Sequence, residues 1–133
     1  MREALTIGRL AKAAGVNVET VRYYQRRGLI DEPRKPPGGH RRYAASVVQQ
    51  FRFIRRAQQL GFSLDEVKAL LKLANGGKCR DARSMAEQKF EALGARIAQL
   101  VQMRRELRGH IDSCRKRKRG EPCPFIEALS GND

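Results

Sequence analysis

Residues 6–28 read TIGRLAKAAGVNVETVRYYQRRG, and this stretch decides the fold. Four apolar residues recur at the i, i+3, i+4, i+7 spacing of one helical face: Ile7, Leu10, Ala11 and Ala14. Thr6 can cap this first helix, and Gly15 suits the left-handed backbone position that ends it. A second helix is predicted from Val18 to Arg27, with Gly28 ending it. Two short helices joined by a tight turn predict a helix-turn-helix, whose second helix typically enters the major groove of DNA.

The charge balance points to a polyanionic partner. The 133 residues include 28 Lys and Arg against 14 Asp and Glu, a formal net charge of +14. Such an excess costs self-repulsion in the folded chain and favours a partner such as nucleic acid. Residues 1–43 carry ten basic and four acidic side chains, so we expect the polyanion-binding end to be N-terminal.

Several classes of protein are disfavoured by the sequence. No run approaches 18 apolar residues, so we expect no membrane span. The first residues lack the apolar segment of a secretion signal, which predicts a cytoplasmic protein with reduced cysteines. An enzyme acting on nucleic acid would need a carboxylate or histidine cluster, and none is visible, so we expect no enzyme.

Residues 31–43 change character, because their prolines and glycines exclude a continuous helix. They predict a loop or a short β-wing with a basic tip at residues 40–43. The candidate DNA-contacting residues lie in the two helices and this wing: Thr6, Asn17, Glu19, Thr20, Arg22, Tyr23, Arg41, Arg42 and Tyr43. The alternative is a solvated amphipathic second helix whose aromatic residues belong to the core, and Tyr43 is as readily a core residue as a DNA contact.

Helical patterns continue to the C terminus. A helix is predicted from about residue 45 to Gly61, and Ser63 with Glu66 forms a capping box for the next helix. Apolar residues then alternate in steps of four and three from about Asp81 to Ile111: Ala86, Phe90, Leu93, Ile97, Leu100, Leu107 and Ile111. Arg104 interrupts this seam. Because a lone helix would leave the seam exposed, we expect a second copy of the chain to cover it as an antiparallel coiled coil.

Three cysteines, Cys79, Cys114 and Cys123, lie at the two ends of this helical pattern. About 35 helical residues separate Cys79 from Cys114 by roughly 50 Å, so the two cannot meet within one chain. In an antiparallel dimer, Cys79 of one chain lies beside Cys114 and Cys123 of the other, which predicts two three-thiolate sites. Such sites suit large thiophilic cations, whereas zinc would need a further ligand. The alternative is that these are buried or incidental thiols.

The predicted fold class is mostly α, with four regions. Residues 1–43 are predicted to be a winged helix-turn-helix, and residues 44–78 a connecting helical region. Residues 79–112 are predicted to be a dimerisation helix with Cys79 at its start. Residues 113–133 are predicted to be a metal-binding loop and a short helix that begins at Pro124. The basic run 115–119 is either solvated or offsets the charge of bound thiolates.

These residues carry a family resemblance over nearly the whole chain. The motifs are TIG at 6–8, TVRYY at 20–24, GLI at 28–30, RRY at 41–43, LGFSLDEV at 60–67 and CPFI at 123–126. With them the chain resembles the MerR family of bacterial transcription regulators, and most closely its mercury-responsive branch. Cys79, where copper-type members have serine, implies a divalent rather than a monovalent ion.

The resemblance implies a repressor and activator of a mercury-resistance operon, with Hg(II) as effector bound by Cys79, Cys114 and Cys123. It implies a homodimer on an over-long promoter spacer, which metal binding distorts so that RNA polymerase can start. Lead, cadmium or zinc is the alternative effector. A thiol-redox regulator is the other alternative, which the absence of a close C-x-x-C pair disfavours.

Overall fold

A computed structural model describes residues 4–131, and within them the chain forms six α-helices. The helices are α1 (Ile7–Ala14), α2 (Val18–Arg26), α3 (Val47–Gln59), α4 (Leu64–Ala74), α5 (Cys79–Arg115) and α6 (Pro124–Ser130). The predicted mostly α fold class is confirmed. The first three residues of the predicted region 1–43 and the last two of region 113–133 lie outside the described residues.

The helix-turn-helix forms as its local chemistry predicts. The Thr6 side chain accepts a hydrogen bond from the Arg9 backbone N–H at 3.2 Å and caps α1. Gly15 ends the helix at φ +73°, a left-handed conformation that a residue with a side chain adopts only with strain. Asn17 then caps α2 by accepting from the Thr20 N–H at 2.8 Å. The predicted bounds of α1 are confirmed, and α2 ends one residue earlier than predicted.

One apolar core joins the first four helices. Its fully buried side chains come from one helix each: Leu10, Val21, Ile54 and Val67. Leu29, Ile30 and Tyr43 reach the same cluster from the segments that link α2 to α3. Because α1 to α4 all contribute to a single cluster, the packing of α1 and α2 depends on α3 and α4.

The segment before α3 is a loop, the first of the two predicted alternatives. The residues that the structure describes contain no β-strand, and an isolated antiparallel bridge pairs Leu5 with Tyr43. Its two backbone N–H···O distances are 2.7 and 2.8 Å. This bridge attaches the end of the loop to the start of the helix-turn-helix.

The predicted capping box of α4 is confirmed. Ser63 Oγ accepts from the Glu66 N–H at 3.2 Å, and Glu66 Oε1 accepts from the Ser63 N–H at 2.8 Å. Lys89 of α5 donates to the same Glu66 oxygen at 2.9 Å. The Ser63 amide first, and then Lys89, lower the pKa of the Glu66 carboxyl. The Lys89–Glu66 bond joins α5 to the start of α4.

Helix α5 is longer than the pattern predicts. It begins at Cys79 and continues to Arg115, so Cys114 lies in its last turn and not beyond its end. The helix continues because no glycine or proline stands between Ile111 and Gly120 to stop it. The chain divides into two compact units within α5, one ending at Lys89 and the other starting at Phe90. The functional regions predicted above remain predictions.

Among residues 4–131, no helix combines the length and the apolar character that crossing a membrane requires.

Replacing Leu10 tests the shared core. Leu10 is 0% exposed, so Leu10→Ala leaves a cavity and should lower the free energy of unfolding by about 2–5 kcal/mol. Leu60→Ala is the matched control, because Leu60 is 51% exposed, and it should change stability by less than about 1 kcal/mol. Urea unfolding followed by circular dichroism measures both. Equal losses would contradict the assignment of Leu10 to the core.

Candidate functional sites

A basic cleft of about 570 Å³ lies between the helix-turn-helix and the loop that precedes α3. It is lined by Thr6, Ile7, Arg22, Gln25, Arg26, Glu32, Lys35, His40, Arg41 and Tyr43. Four of these side chains are cationic at neutral pH, and one is a carboxylate. The cleft is therefore open to a polyanion and suited to phosphate groups.

The predicted residues at the start of α2 are held by short-range bonds. Asn17 Oδ1 accepts from both the Thr20 N–H and, at 2.9 Å, the Thr20 hydroxyl. Arg22 pairs with Glu19 at 2.7 Å, one helical turn away. Arg22 is exposed, and this pairing directs its guanidinium along the surface of α2. Asn17, Glu19 and Thr20 thus order the helix that presents Arg22.

Tyr23 lies on the exposed face of α2, with 39% of its surface accessible. Its hydroxyl accepts from Arg27 at 2.8 Å, and the guanidinium carbons of Arg26 and Arg27 lie 5.8 Å from its ring centre. Arg27 also pairs with Asp65 at 3.1 Å. The Tyr23 ring therefore makes cation–π contacts with two guanidinium groups at the C-terminal end of α2.

The two arginines of the loop differ in their partners. Arg41 pairs with Glu32 at 2.9 Å and donates to the Pro33 carbonyl at 3.1 Å, which closes the loop on itself. Arg42 is exposed and makes no ion pair with any described residue. Arg42 is thus available to an external phosphate, whereas Arg41 also shapes the loop that presents it.

Tyr43 occupies the core and not the surface. It is 2% exposed, and its hydroxyl accepts a hydrogen bond from the Gln25 side chain. This bond joins the loop to α2 within the basic cleft. Of the two predicted roles for Tyr43, the geometry favours the core role.

The predicted DNA contacts omit six residues that line the cleft: Ile7, Gln25, Arg26, Glu32, Lys35 and His40. Arg26 follows Arg22 by four residues, so it shares a helix face with Arg22, and this spacing could have identified it. Gln25 and Lys35 carry no such signal. Their place in the cleft depends on how the loop folds against α2.

Two of the three cysteines lie together in the C-terminal unit. Cys114 in the last turn of α5 and Cys123, which precedes α6, are half-buried with their sulfurs 3.6 Å apart. Both thiols belong to one chain. The nine-residue separation in sequence is closed by the loop between α5 and α6.

Two contacts hold this loop closed. Arg117 donates a hydrogen bond to the Glu121 carbonyl, and Gly120 turns the chain at φ +91°. On the other side, the rings of His110 and Phe125 lie 5.1 Å apart between centroids. One contact therefore lies inside the loop, and the other fixes α6 against α5.

The surroundings of Cys123 favour its thiolate. The Ile126 backbone N–H first, then the Cys114 thiol and the Phe125 N–H, lower the pKa of Cys123 by hydrogen bonding to its sulfur. The charge of Arg117 acts in the same direction. Two half-buried sulfurs beside a cation form a donor set that suits a soft, thiophilic ion.

Cys79 is exposed at the first position of α5. Within residues 4–131 no three His, Cys, Asp or Glu side chains form a group able to hold a metal ion. One chain thus supplies a pair of sulfurs and a separate exposed thiol.

The predicted seam of α5 is apolar and uncovered within one chain. Phe90 is 75% exposed and Ile97 62% exposed. The other large seam residues are also exposed: Leu93, Leu100, Leu107 and Ile111. An apolar stripe of this length marks a surface for association.

Two family models and several known proteins are similar to this chain. A model described as "MerR HTH family regulatory protein" matches residues 5–74, and one described as "MerR, DNA binding" matches residues 48–110. The chain is 48% identical over 129 residues to a mercuric resistance operon regulatory protein of Pseudomonas fluorescens, covering 97% of this chain and 90% of the relative.

Two solved structures are similar in fold. The transcription regulator PbrR691 of Ralstonia metallidurans CH34, in complex with lead(II), has a TM-score of 0.83 at 31% identity and covers 94% of this chain and 98% of its own. The regulator MerR of Bacillus megaterium MB1, in complex with mercury(II), has a TM-score of 0.70 at 35% identity. That alignment covers 98% of this chain and 100% of the Bacillus chain.

Proposed function

The chain belongs to the MerR family of helix-turn-helix regulators, and on that premise we propose that it regulates a mercury-resistance operon in response to Hg(II). The observation that carries the effector assignment is the pair of half-buried sulfurs of Cys114 and Cys123, 3.6 Å apart. The 48% identity to a mercuric resistance regulator supports the same effector. Its action is binding rather than catalysis, and it acts where promoter DNA is, in the cytoplasm.

The proposed DNA contacts come from the basic cleft and the surface beside it. Arg22 and Tyr23 present donors from α2, and Arg41 and Arg42 present them from the loop. Thr6, Asn17, Glu19 and Thr20 support these contacts from the helix starts. Arg26 joins the set because it lines the cleft with Arg22. We assign Tyr43 a supporting role through its bond with Gln25.

The proposed active form is a homodimer through α5. Burial of the seam residues would remove a large apolar surface from water, and each such side chain contributes about 1.5–3 kcal/mol when fully buried. A second copy presents the same stripe, and antiparallel pairing of two identical helices is self-complementary.

The proposed metal site spans the two chains. Cys79 and Cys114 lie near opposite ends of a 37-residue helix, which is about 55 Å long, so antiparallel pairing brings the Cys79 of one chain to the sulfur pair of the other. A bound Hg(II) would form strong bonds to the three sulfurs as thiolates, and their protons would be released to solvent. The basic run 115–119 offsets the remaining negative charge.

The proposed response is a change between two states of the dimer. Ligands that join both chains bind better to the state in which the three sulfurs converge, so metal shifts the population toward it. The energy of thiolate binding can then supply the few kcal/mol that bending or untwisting a promoter requires. In this proposal RNA polymerase starts transcription from the distorted promoter.

Lead(II) is the second candidate effector, because the lead-bound relative has the higher TM-score of the two metal-bound structures. A promoter assay with the reduced protein distinguishes the two ions. If Hg(II) is the effector, transcription should respond to Hg(II) at a lower concentration than to Pb(II). A response to Pb(II) at the lower concentration would favour lead.

Removing loop arginines should weaken DNA binding. Arg41→Ala and Arg42→Ala should each cost about 1–3 kcal/mol, because each loses a charge-assisted contact with phosphate. The measurement is binding to a duplex that the wild-type protein selects from a random pool, at several salt concentrations. Arg83→Ala, which removes an exposed charge paired with Glu87, is the control and should leave affinity unchanged. An unchanged affinity and salt slope for Arg42→Ala would contradict the contact.

Placing a charge in the seam should separate the dimer. Leu100→Asp introduces a carboxylate that would have to be buried unpaired, so sedimentation at micromolar concentration should show monomers. Gln99→Asp adds the same charge one position away from the seam and should remain dimeric. Wild-type monomers under these conditions would refute the proposed dimer.

Two cysteine variants, tested separately and as a mixed heterodimer, show whether the metal ligands come from both chains. Cys79→Ala and Cys114→Ala homodimers should each bind DNA but give no transcriptional response to Hg(II), since neither has a complete site. A mixed heterodimer should regain one three-thiolate site, because one chain retains Cys79 and the other retains Cys114 with Cys123. Thiolate charge-transfer absorption and a promoter assay measure this recovery. Heterodimers that form but recover no site would show that the ligands come from a single chain.

A further inference from the structure

Cys114 and Cys123 are close enough to react with each other. Spacing in the sequence argues against a redox pair, because nine positions separate the two cysteines. In the folded chain their sulfurs are 3.6 Å apart, and both thiols are free. A disulfide bond is about 2.05 Å long, so the sulfurs need to approach by only about 1.5 Å, within reach of side-chain rotation.

The closeness of the two sulfurs has identifiable causes. The Arg117–Glu121 hydrogen bond closes the loop from within, and the Phe125 ring against His110 holds α6 beside the last turns of α5. These contacts order the loop before any reaction, so the entropy of closing it is lost when the chain folds. The effective concentration of one thiol at the other is therefore high when the reaction begins. Cys79 is exposed, and among the described residues the one contact between two cysteine sulfurs is that of Cys114 with Cys123.

We propose that Cys114 and Cys123 are a reversible modification site. A low-molecular-weight disulfide oxidises the two thiols to an intrachain disulfide bond, and this bond disables metal sensing. The consequence for sensing rests on the proposed function, whereas formation of the bond does not. The oxidised chain keeps its DNA-binding surface, because the basic cleft lies in the other compact unit. The regulator therefore stays on its promoter without responding to metal.

The chemistry is two successive exchanges. One cysteine thiolate attacks a sulfur of oxidised glutathione, which forms a mixed disulfide and releases one reduced glutathione. The second thiolate then attacks the protein sulfur of that mixed disulfide and releases the second glutathione. The two cysteines lose two electrons to the oxidant, and their two protons end on the two released thiols. The sulfur lone pairs that would bind metal as thiolates are now on a neutral disulfide.

The experiment compares reduced and oxidised full-length protein. Incubation with oxidised glutathione should lower the mass of each chain by two hydrogens, and peptide mapping should join residues 114 and 123. The oxidised protein should show at least about a tenfold loss of thiolate-to-metal absorption on titration with Hg(II), with DNA affinity within twofold of the reduced protein. Dithiothreitol should restore metal binding.

Matched variants test the cause of the closeness. For Phe125→Ala, half oxidation should require a ratio of oxidised to reduced glutathione at least about tenfold higher than for the wild type. Phe125→Tyr should restore the wild-type ratio. Arg117→Gln should shift it in the same direction, whereas Lys116→Gln, which removes the same charge without a loop contact, should not. Cys79→Ser should form the intrachain bond as readily as the wild type.

Three outcomes would overturn the inference. One is a bond between chains, seen as a dimer on a non-reducing gel and mapped to Cys79. Another is no bond at all at glutathione ratios that oxidise ordinary protein dithiols. The third is full metal binding by the oxidised protein. Failure of the reduced wild type to bind Hg(II) would instead refute the proposed effector and leave the disulfide measurement intact.

Discussion

The apolar seam of α5 is the constraint on which the rest of the molecule depends. A helix of 37 residues cannot bury its seam against the small core of its own chain, so Phe90 and Ile97 remain in water. Covering that seam with a second copy accounts for two other features at once. In the proposed dimer it gives the regulator two DNA-binding surfaces, and it would bring the exposed Cys79 of one chain to the Cys114–Cys123 sulfur pair of the other.

The N-terminal unit is ordered by helix caps and by one apolar core. Caps at Thr6 and Asn17 satisfy the helix starts, and the core residues join four helices in one cluster. Around it the cations are arranged by local pairing, as Arg22 with Glu19 and Arg41 with Glu32. Such exposed pairs contribute little to stability, so their main effect is to orient the guanidinium groups that we propose as phosphate contacts.

The C-terminal unit differs from the N-terminal unit, because its functional side chains are positioned by a short loop and not by a shared apolar core. Arg117 and Phe125 hold two thiols together without forming a bond between them. A pair of close, half-buried sulfurs can bind a soft cation or be oxidised, and these two fates exclude each other. The geometry on which the proposed metal site depends is therefore also the basis of the proposed sensitivity to the thiol–disulfide state of the surroundings.

The sequence by itself determined the helices, because caps, left-handed glycines and apolar spacing are local signals. The Thr6 cap, the Ser63–Glu66 capping box and the seam of α5 all follow from residues fewer than eight positions apart. Tertiary structure alone decided the buried place of Tyr43, the membership of Gln25 and Lys35 in the cleft, and the contact of Cys114 with Cys123. Each of these depends on how a loop closes, and loop closure is set by contacts between distant residues that no local pattern records.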